Sequence, residues 1–332
     1  MAAAVHAVSA SGGIVFFGAS DTGLRCCRAL IEGGVTIAGI VTRPRHFRIS
    51  WSPGGMTNAR FADFHDLAAE HRLPLLDVAD DATNEDLRRA VAAWHPALLM
   101  VVGWYHLVTA GIRALAPRGA VGVHASMLPR YRGGAPLVWA IINGERETGV
   151  TLFHLVDRVD AGDIVDQRRI AIGADETIAD VVPRSTDAAV SLIVEHAPAL
   201  LDGTAPRRAQ AEFDATVMPQ RRPEDGVIDW ARMTARGVHD WVRAQTRPYP
   251  GAFALADGRQ LFAWRTRVSS TAAESAAPGT IVDMTDRLLV TCADGGVVDI
   301  VEAGVERDGA IMSGTEAAAR CGLRAGDRFG TT

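Results

Sequence analysis

The chain is 332 residues long, 48% hydrophobic and 22% charged, with a formal net charge of −5, a composition that suits a soluble globular protein able to bury two cores. All 34 basic residues are arginine, which excludes Schiff-base chemistry through lysine, and the acidic balance argues against a long nucleic-acid partner. No apolar run is long enough to span a membrane, and Met1 to Gly13 lacks the basic and apolar parts of a secretory leader, so a cytoplasmic protein is expected.

The apolar run Gly13 to Gly18, a helical stretch over Thr22 to Glu32 and a second run, Val35 to Val41, predict a β-α-β unit on a parallel sheet. Cys26 and Cys27 fall in that helix, with Cys292 and Cys321 far away. No spacing among the four suggests a disulfide or a metal site. Thr42 to Asn58 reads as a loop in which Arg43, Arg45 and Arg48 form either a grip for a phosphate, nucleotide or carboxylate, or a solvated surface. The alternation continues through Arg60 to His71, Leu73 to Leu76, Asn84 to Trp94, Ala97 to Val102, Val121 to His124, Pro136 to Asn143 and Thr148 to Leu155. This predicts an α/β fold with a doubly wound, Rossmann-like parallel sheet, closed by a helix over Ile178 to Leu201. Asp202 to Pro206 is then a helix stop and a linker.

Beyond it come short strands at Gly226 to Trp230, Gly251 to Leu255, Gln260 to Trp264, Gly279 to Asp283, Leu288 to Thr291 and Val297 to Val301, with a helix over Thr234 to Gln245. They predict a small β-barrel, OB-like, so the expected domains are 1–205 and 206–332. The second is expected to serve stability or dimerisation, or to share in substrate recognition.

In doubly wound sheets ligands gather at the carboxyl ends of the strands. Gly18 and Ser20, Gly103 to Val108, and His124 all follow predicted strands and should share one cleft. A histidine at a strand end is ordinarily a surface or hydrogen-bonded core residue, and Asp160 with Gly162 close behind reads as a turn. The surrounding residues change that reading. Val121-Gly122-Val123-His124-Ala125-Ser126-Met127-Leu128-Pro129-Arg130-Tyr131-Arg132-Gly133, then Thr148-Gly149-Val150-Thr151 and Asp160-Ala161-Gly162, resemble the signature of the folate-dependent formyltransferases. In that family of methionyl-tRNA, glycinamide ribonucleotide and sugar N-formyltransferases, Asn-x-His-x-Ser-Leu-Leu-Pro-x-x-x-Gly precedes Asp-x-Gly. Phe16-Phe17-Gly18 and Val101 to Val108 extend the resemblance. The stretch Arg221 to Trp230, with Arg243 and Arg247 to Gly251, is closest to the sugar N-formyltransferases.

The resemblance implies 10-formyltetrahydrofolate, or another one-carbon tetrahydrofolate, as cofactor, and no metal. It implies His124 as proton carrier and Asp160 as its partner. It places the pterin between Tyr105, His106, Leu107 and Val108 and the loop from Val156 to Asp160, through Val156, Asp157 and Val159, with substrate contacts at Ser20, Gly122, Ser126 and Arg132. Formyl transfer to an amine also needs a hydrogen-bond donor for the developing oxyanion. Gly122 stands where the family has the asparagine that provides it. Either another group, a backbone N–H or a side chain such as Ser126 or His154, takes over, or the transferred carbon is at the methylene or formimidoyl level, or the chain binds folate without catalysis. Residues 211–332 hold 14 arginines against 17 acidic residues, too little positive charge for an acceptor stem. A small amine such as an amino sugar or a precursor in specialised metabolism is therefore expected over tRNA, with a homodimer left open.

Overall fold

The computed structural model describes residues 12–49, 52–256, 258–273 and 275–330. In chain order the elements are β1 (Ile14–Phe17), α1 (Asp21–Glu32), β2 (Ile37–Thr42), β3 (His46–Ile49), β4 (Ser52–Thr57), α2 (His65–His71), β5 (Leu75–Asp77), α3 (Asn84–Ala93), β6 (Leu98–Val101), α4 (Ala110–Arg113) and β7 (Ala120–His124). There follow β8 (Arg132–Gly133), α5 (Pro136–Ile142), β9 (Glu147–His154), β10 (Ile164–Ala171), α6 (Ile178–Asp202), β11 (Val217–Met218) and α7 (Ala235–Gln245). The rest are β12 (Ala252–Ala256), β13 (Arg259–Ala272), β14 (Ile281–Asp283), β15 (Leu288–Thr291), β16 (Gly296–Gly304), β17 (Met312–Ser313) and α8 (Gly314–Arg320). Among the described residues no helix is long and apolar enough to cross a membrane. Most of Met1 to Gly13, read above for a leader, lies outside the described residues, as do Ser50 and Trp51.

The chain divides into two compact units. One comprises the chain as far as Arg132 together with Gly149–Arg169 and Ser185–Thr216. The other comprises Gly133–Thr148, Ile170–Arg184 and the chain from Val217.

In the first unit the strand order is β10-β9-β7-β6-β1-β2-β5. All four residues of β1 are fully buried, the continuous apolar run expected of a strand covered on both faces. It pairs in parallel with β2 on one side and β6 on the other, so the order reverses here and the carboxyl ends of β1 and β6 border a cleft. The sheet is mixed, not wholly parallel, because β9 runs antiparallel to β7. The only helix between those two strands, α5, belongs to the second unit and supplies no crossover to this sheet.

Helix α1 starts on Ser20, whose Oγ accepts from the Gly23 amide, and buries Gly23, Cys26, Cys27 and Leu30, one apolar stripe at helical spacing. Burial pushes both thiols up to about 12. Cys292 is equally buried, and Cys321 alone is partly exposed. Ellman's reagent at about pH 8 should therefore titrate at most one thiol in the folded protein and all four in guanidinium chloride. Rapid reaction of two or more thiols in the folded state would contradict this packing.

Three readings need correction. The region after β2 is a hairpin, β3 against β4, in which Phe47 and Ile49 turn inward, while Pro44, Pro53, Gly54 and Gly55 give it the composition of a loop. The helix expected from Arg60 begins only at His65. Gly226 to Trp230 forms no strand: a 3-10 turn over Pro223–Gly226 leads to a single bridge between Val227 and Phe253.

The second unit is an antiparallel half-barrel, β12-β13-β16-β15-β14, with β17 added on β16. Its core gathers Ile228, Trp230, Val238, Val242, Leu261, Ile300 and Phe329.

Candidate active site

Strand β7 ends on His124, 9% exposed, and its two-residue period puts Gly122 on the same face. The imidazole Nε2 lies 2.7 Å from the Tyr131 carbonyl oxygen. A carbonyl only accepts, so Nε2 carries the hydrogen of that bond. The nitrogen left to gain or lose a proton is Nδ1, and it faces an Asp160 carboxylate oxygen at 3.6 Å. That separation exceeds a hydrogen bond but lets the carboxylate offset the charge of an imidazolium.

Asp160 sits in a turn with φ of 53°, in the left-handed region. Two residues on, a Cβ at Gly162 would lie 1.8 Å from the His154 carbonyl oxygen, so only glycine fits and the Asp-x-Gly spacing follows from the turn.

Around this pair is a polar scaffold that the sequence did not reveal. The Gln210 amide donates to the carbonyls of Asp160 at 2.8 Å and Gly162 at 2.7 Å. Its oxygen accepts twice from Arg132, at 3.0 and 2.7 Å. Arg132 completes its fork on Glu212 at 3.2 and 2.8 Å. The Thr216 hydroxyl accepts from the Tyr131 amide at 2.8 Å, steadying the carbonyl that holds His124. Ser126 donates to the Arg130 carbonyl at 2.7 Å, and Thr151 donates to the Ser126 carbonyl at 2.7 Å.

A Cβ at Gly122 would meet Leu155 Cδ2 at 2.9 Å, the Val101 carbonyl oxygen at 3.4 Å and the Phe153 ring at 3.6 Å, none of which is a hydrogen-bond donor. Phe153 pairs with Gly122 across the strands and shares its face, whereas His154 pairs with Val121 and points to the opposite one. His154 therefore does not reach the His124 side, and the Ser126 hydroxyl is already committed.

Ser20 caps α1 at the end of β1. Tyr105 donates to Asn58 at 2.8 Å. The Nε2 of His106 accepts from Arg43, and burial together with that guanidinium pushes the ring down to about 4, so it is neutral near pH 7. Arg43 also pairs with Asp80 at 2.7 Å and is buried, while Arg45 lies over the Phe61 ring. A cavity of about 310 Å³ runs between Arg43, Arg48, Asn84, Trp104 and His106. Val108 is buried, but Leu107, Val156 and Val159 are exposed, at 70%, 45% and 48%. Arg113 joins their two segments: it donates to the Val108 carbonyl at 2.6 Å and pairs with Asp157. Asp166, Glu195 and His196 also gather, but Arg168 bonds both carboxylates, which makes the group an ion-pair cluster.

Arg132 and Arg158 hold the Glu212 carboxyl down to about 2. A carboxyl depressed on folding stabilises the native state above its unfolded value near 4.5, and that stability is lost as pH falls towards 2. The melting temperature should therefore drop over this interval, and less steeply in Glu212→Gln. An unchanged acid limb in the variant would contradict the assignment.

The formyl transferase profile matches residues 19–197, and the formyl transferase C-terminal domain profile matches residues 221–321. The chain belongs to the formyltransferase family. Among solved structures its fold resembles WlaRD, a sugar 3N-formyl transferase crystallised with dTDP and 5-N-formyl-THF, at 14% identity and a TM-score of 0.62, over 87% of this chain and 96% of that one. It resembles the N-formyltransferase of Helicobacter canadensis in complex with folinic acid and dTDP-3-aminofucose, at 13% identity and a TM-score of 0.61, over 87% and 98%. It also resembles HypX of Aquifex aeolicus in complex with tetrahydrofolic acid, at 16% identity and a TM-score of 0.62, over 96% of this chain and 51% of that one.

Proposed function

We propose that the chain transfers a formyl group from 10-formyltetrahydrofolate to the amino group of a small molecule, with nucleotide-linked amino sugars the first class to test. The observation that carries this reading is the His124–Asp160 pair, with Nδ1 as the proton-exchanging atom. We assign the chemistry to residues 1–205 with support from Gln210 to Thr216, and stability, dimerisation or a share in substrate recognition to the rest of 206–332. The proposed setting is cytoplasmic, in specialised metabolism.

The cofactor fits the residues present. Leu107, Val156 and Val159 are exposed apolar groups that a heterocycle would cover, and Arg113 holds their two segments together. The bound folate supplies the formyl carbon and the nitrogen that leaves. As the acceptor nitrogen bonds to that carbon it sheds a proton, and His124 takes and returns protons at Nδ1 while Asp160 offsets the ring's charge. With Ser126 committed and His154 on the other face, we assign the developing oxygen charge to a backbone N–H of the cleft, since Nδ1 is the proton acceptor in that step. Ser20 and Ser126 shape the cleft as cap and loop anchor. We assign Arg132 to the support of the Asp160 turn, since its guanidinium is fully engaged within the protein.

The absence of a donor among the nearest neighbours of Gly122 favours one second reading, a methylene-level donor that develops no oxygen charge. Incubation with 10-formyl- and with 5,10-methylenetetrahydrofolate, over dTDP-amino sugars and simple amines, decides between them. Amine-dependent release of tetrahydrofolate from the formyl donor is expected. Release from the methylene donor alone would establish the second reading, and release from neither would refute both.

A further inference from the structure

The segment between α6 and β11, which runs on past the linker read at Asp202 to Pro206, reaches both halves of the catalytic pair. Thr216 steadies Tyr131, whose carbonyl fixes His124, and Gln210 spans the Asp160 turn. We propose that Gln210 is a positioning residue: its side-chain amide sets the turn that presents Asp160 to His124, and Arg132 with Glu212 locks that amide in one orientation. This rests on the formyl-transfer reading, and it names a further part of the same machinery.

The orientation of the amide follows from its partners. Arg132 is a donor only, so the Gln210 atom it bonds is the oxygen, and the nitrogen must face the two carbonyls. Both hydrogens of that nitrogen are used, on Asp160 and Gly162, so the turn is tied on either side of Ala161. Arg132 is 1% exposed and cannot swing away to water, and Glu212 accepts its remaining edge. Arg158, within the same turn region, also pairs with Glu212. Asp160 holds a left-handed φ of 53°, which aspartate tolerates better than most residues but which outside hydrogen bonds favour over the alternatives.

Gln210→Glu tests this with little change of shape. The variant keeps an oxygen for Arg132 but turns a second oxygen on the two carbonyls, so the turn is repelled where it was held. Gln210→Ala removes the support altogether. With 10-formyltetrahydrofolate and any amine found to be accepted, kcat should fall by about 100-fold in both variants, as a displacement of roughly 1 Å at a reacting group does. KM for the folate should rise by less than kcat falls, because Val159 adjoins the loosened turn while Leu107 and Val156 keep their places. Hydrogen exchange of the peptide spanning residues 158–166 should quicken by about tenfold or more. A kcat within about twofold of the parent, or a loss confined to KM, would overturn the proposal. If the parent protein releases no tetrahydrofolate, the formyl-transfer reading fails separately. Exchange then decides for Gln210, and protection equal to the parent's in both variants overturns its role.

Discussion

Replacing His124 by alanine is expected to lower tetrahydrofolate release by about 10²–10⁴-fold, the range for loss of a positioned proton carrier. Nε2 is spent on the Tyr131 carbonyl, so every proton the ring exchanges passes through Nδ1. At 9% exposure the ring has little contact with water that could replace it. The effect belongs in kcat, since the exposed apolar groups proposed to hold the folate lie on other segments. His124→Gln separates chemistry from architecture, because its amide hydrogen can still serve the Tyr131 carbonyl. It should keep the fold and lose the rate. A rate within about tenfold of the parent in both variants would show that His124 does not carry the proton.

Arg132→Met is expected to destabilise the protein by about 3 kcal/mol, the upper part of the range for leaving a buried polar group unsatisfied, since the Glu212 left behind is half-exposed. The guanidinium makes two bonds to Gln210 and two to Glu212 from a fully enclosed position. Methionine fills much of the volume but leaves the Gln210 oxygen without its donors. Arg132→Lys should fare little better, since an ammonium has no fork to span both partners. The exposed Arg158, which pairs with the same carboxylate, is the control. Arg158→Met should change stability by no more than about 1 kcal/mol. Chemical denaturation checks both, and the melting temperature of Arg132→Met should fall by roughly 6–12 °C. Equal effects of the two substitutions would refute the structural role given to Arg132.

The fold was legible where the chain repeats a local pattern. Gly13 to Gly18 and Val35 to Val41, apolar runs on either side of a helix-length stretch holding Cys26 and Cys27, pointed to the β-α-β unit that the structure shows. The β3–β4 hairpin escaped because its prolines and glycines carry a loop's composition, and β9 reversed direction for a reason that lies in where α5 packs. His124 and Asp160 were legible through their motif. Gln210, Glu212 and Thr216 were not, because each bonds to residues roughly 50 to 85 positions away and no local period marks such a contact. Arg132 was expected among the substrate contacts because it lies in the motif. Burial, which a motif does not encode, shows its guanidinium engaged inside the protein. The neighbours of Gly122 were hidden for the same reason: Leu155 and Phe153 meet it only once β9 has paired with β7.

A crystal structure with 5-formyltetrahydrofolate tests the central claim most directly. The account predicts a pterin against Leu107, Val156 and Val159, with N10 within about 3 Å of His124 Nδ1 or one water away from it. A folate bound elsewhere, or with N10 out of reach of that nitrogen, would contradict it.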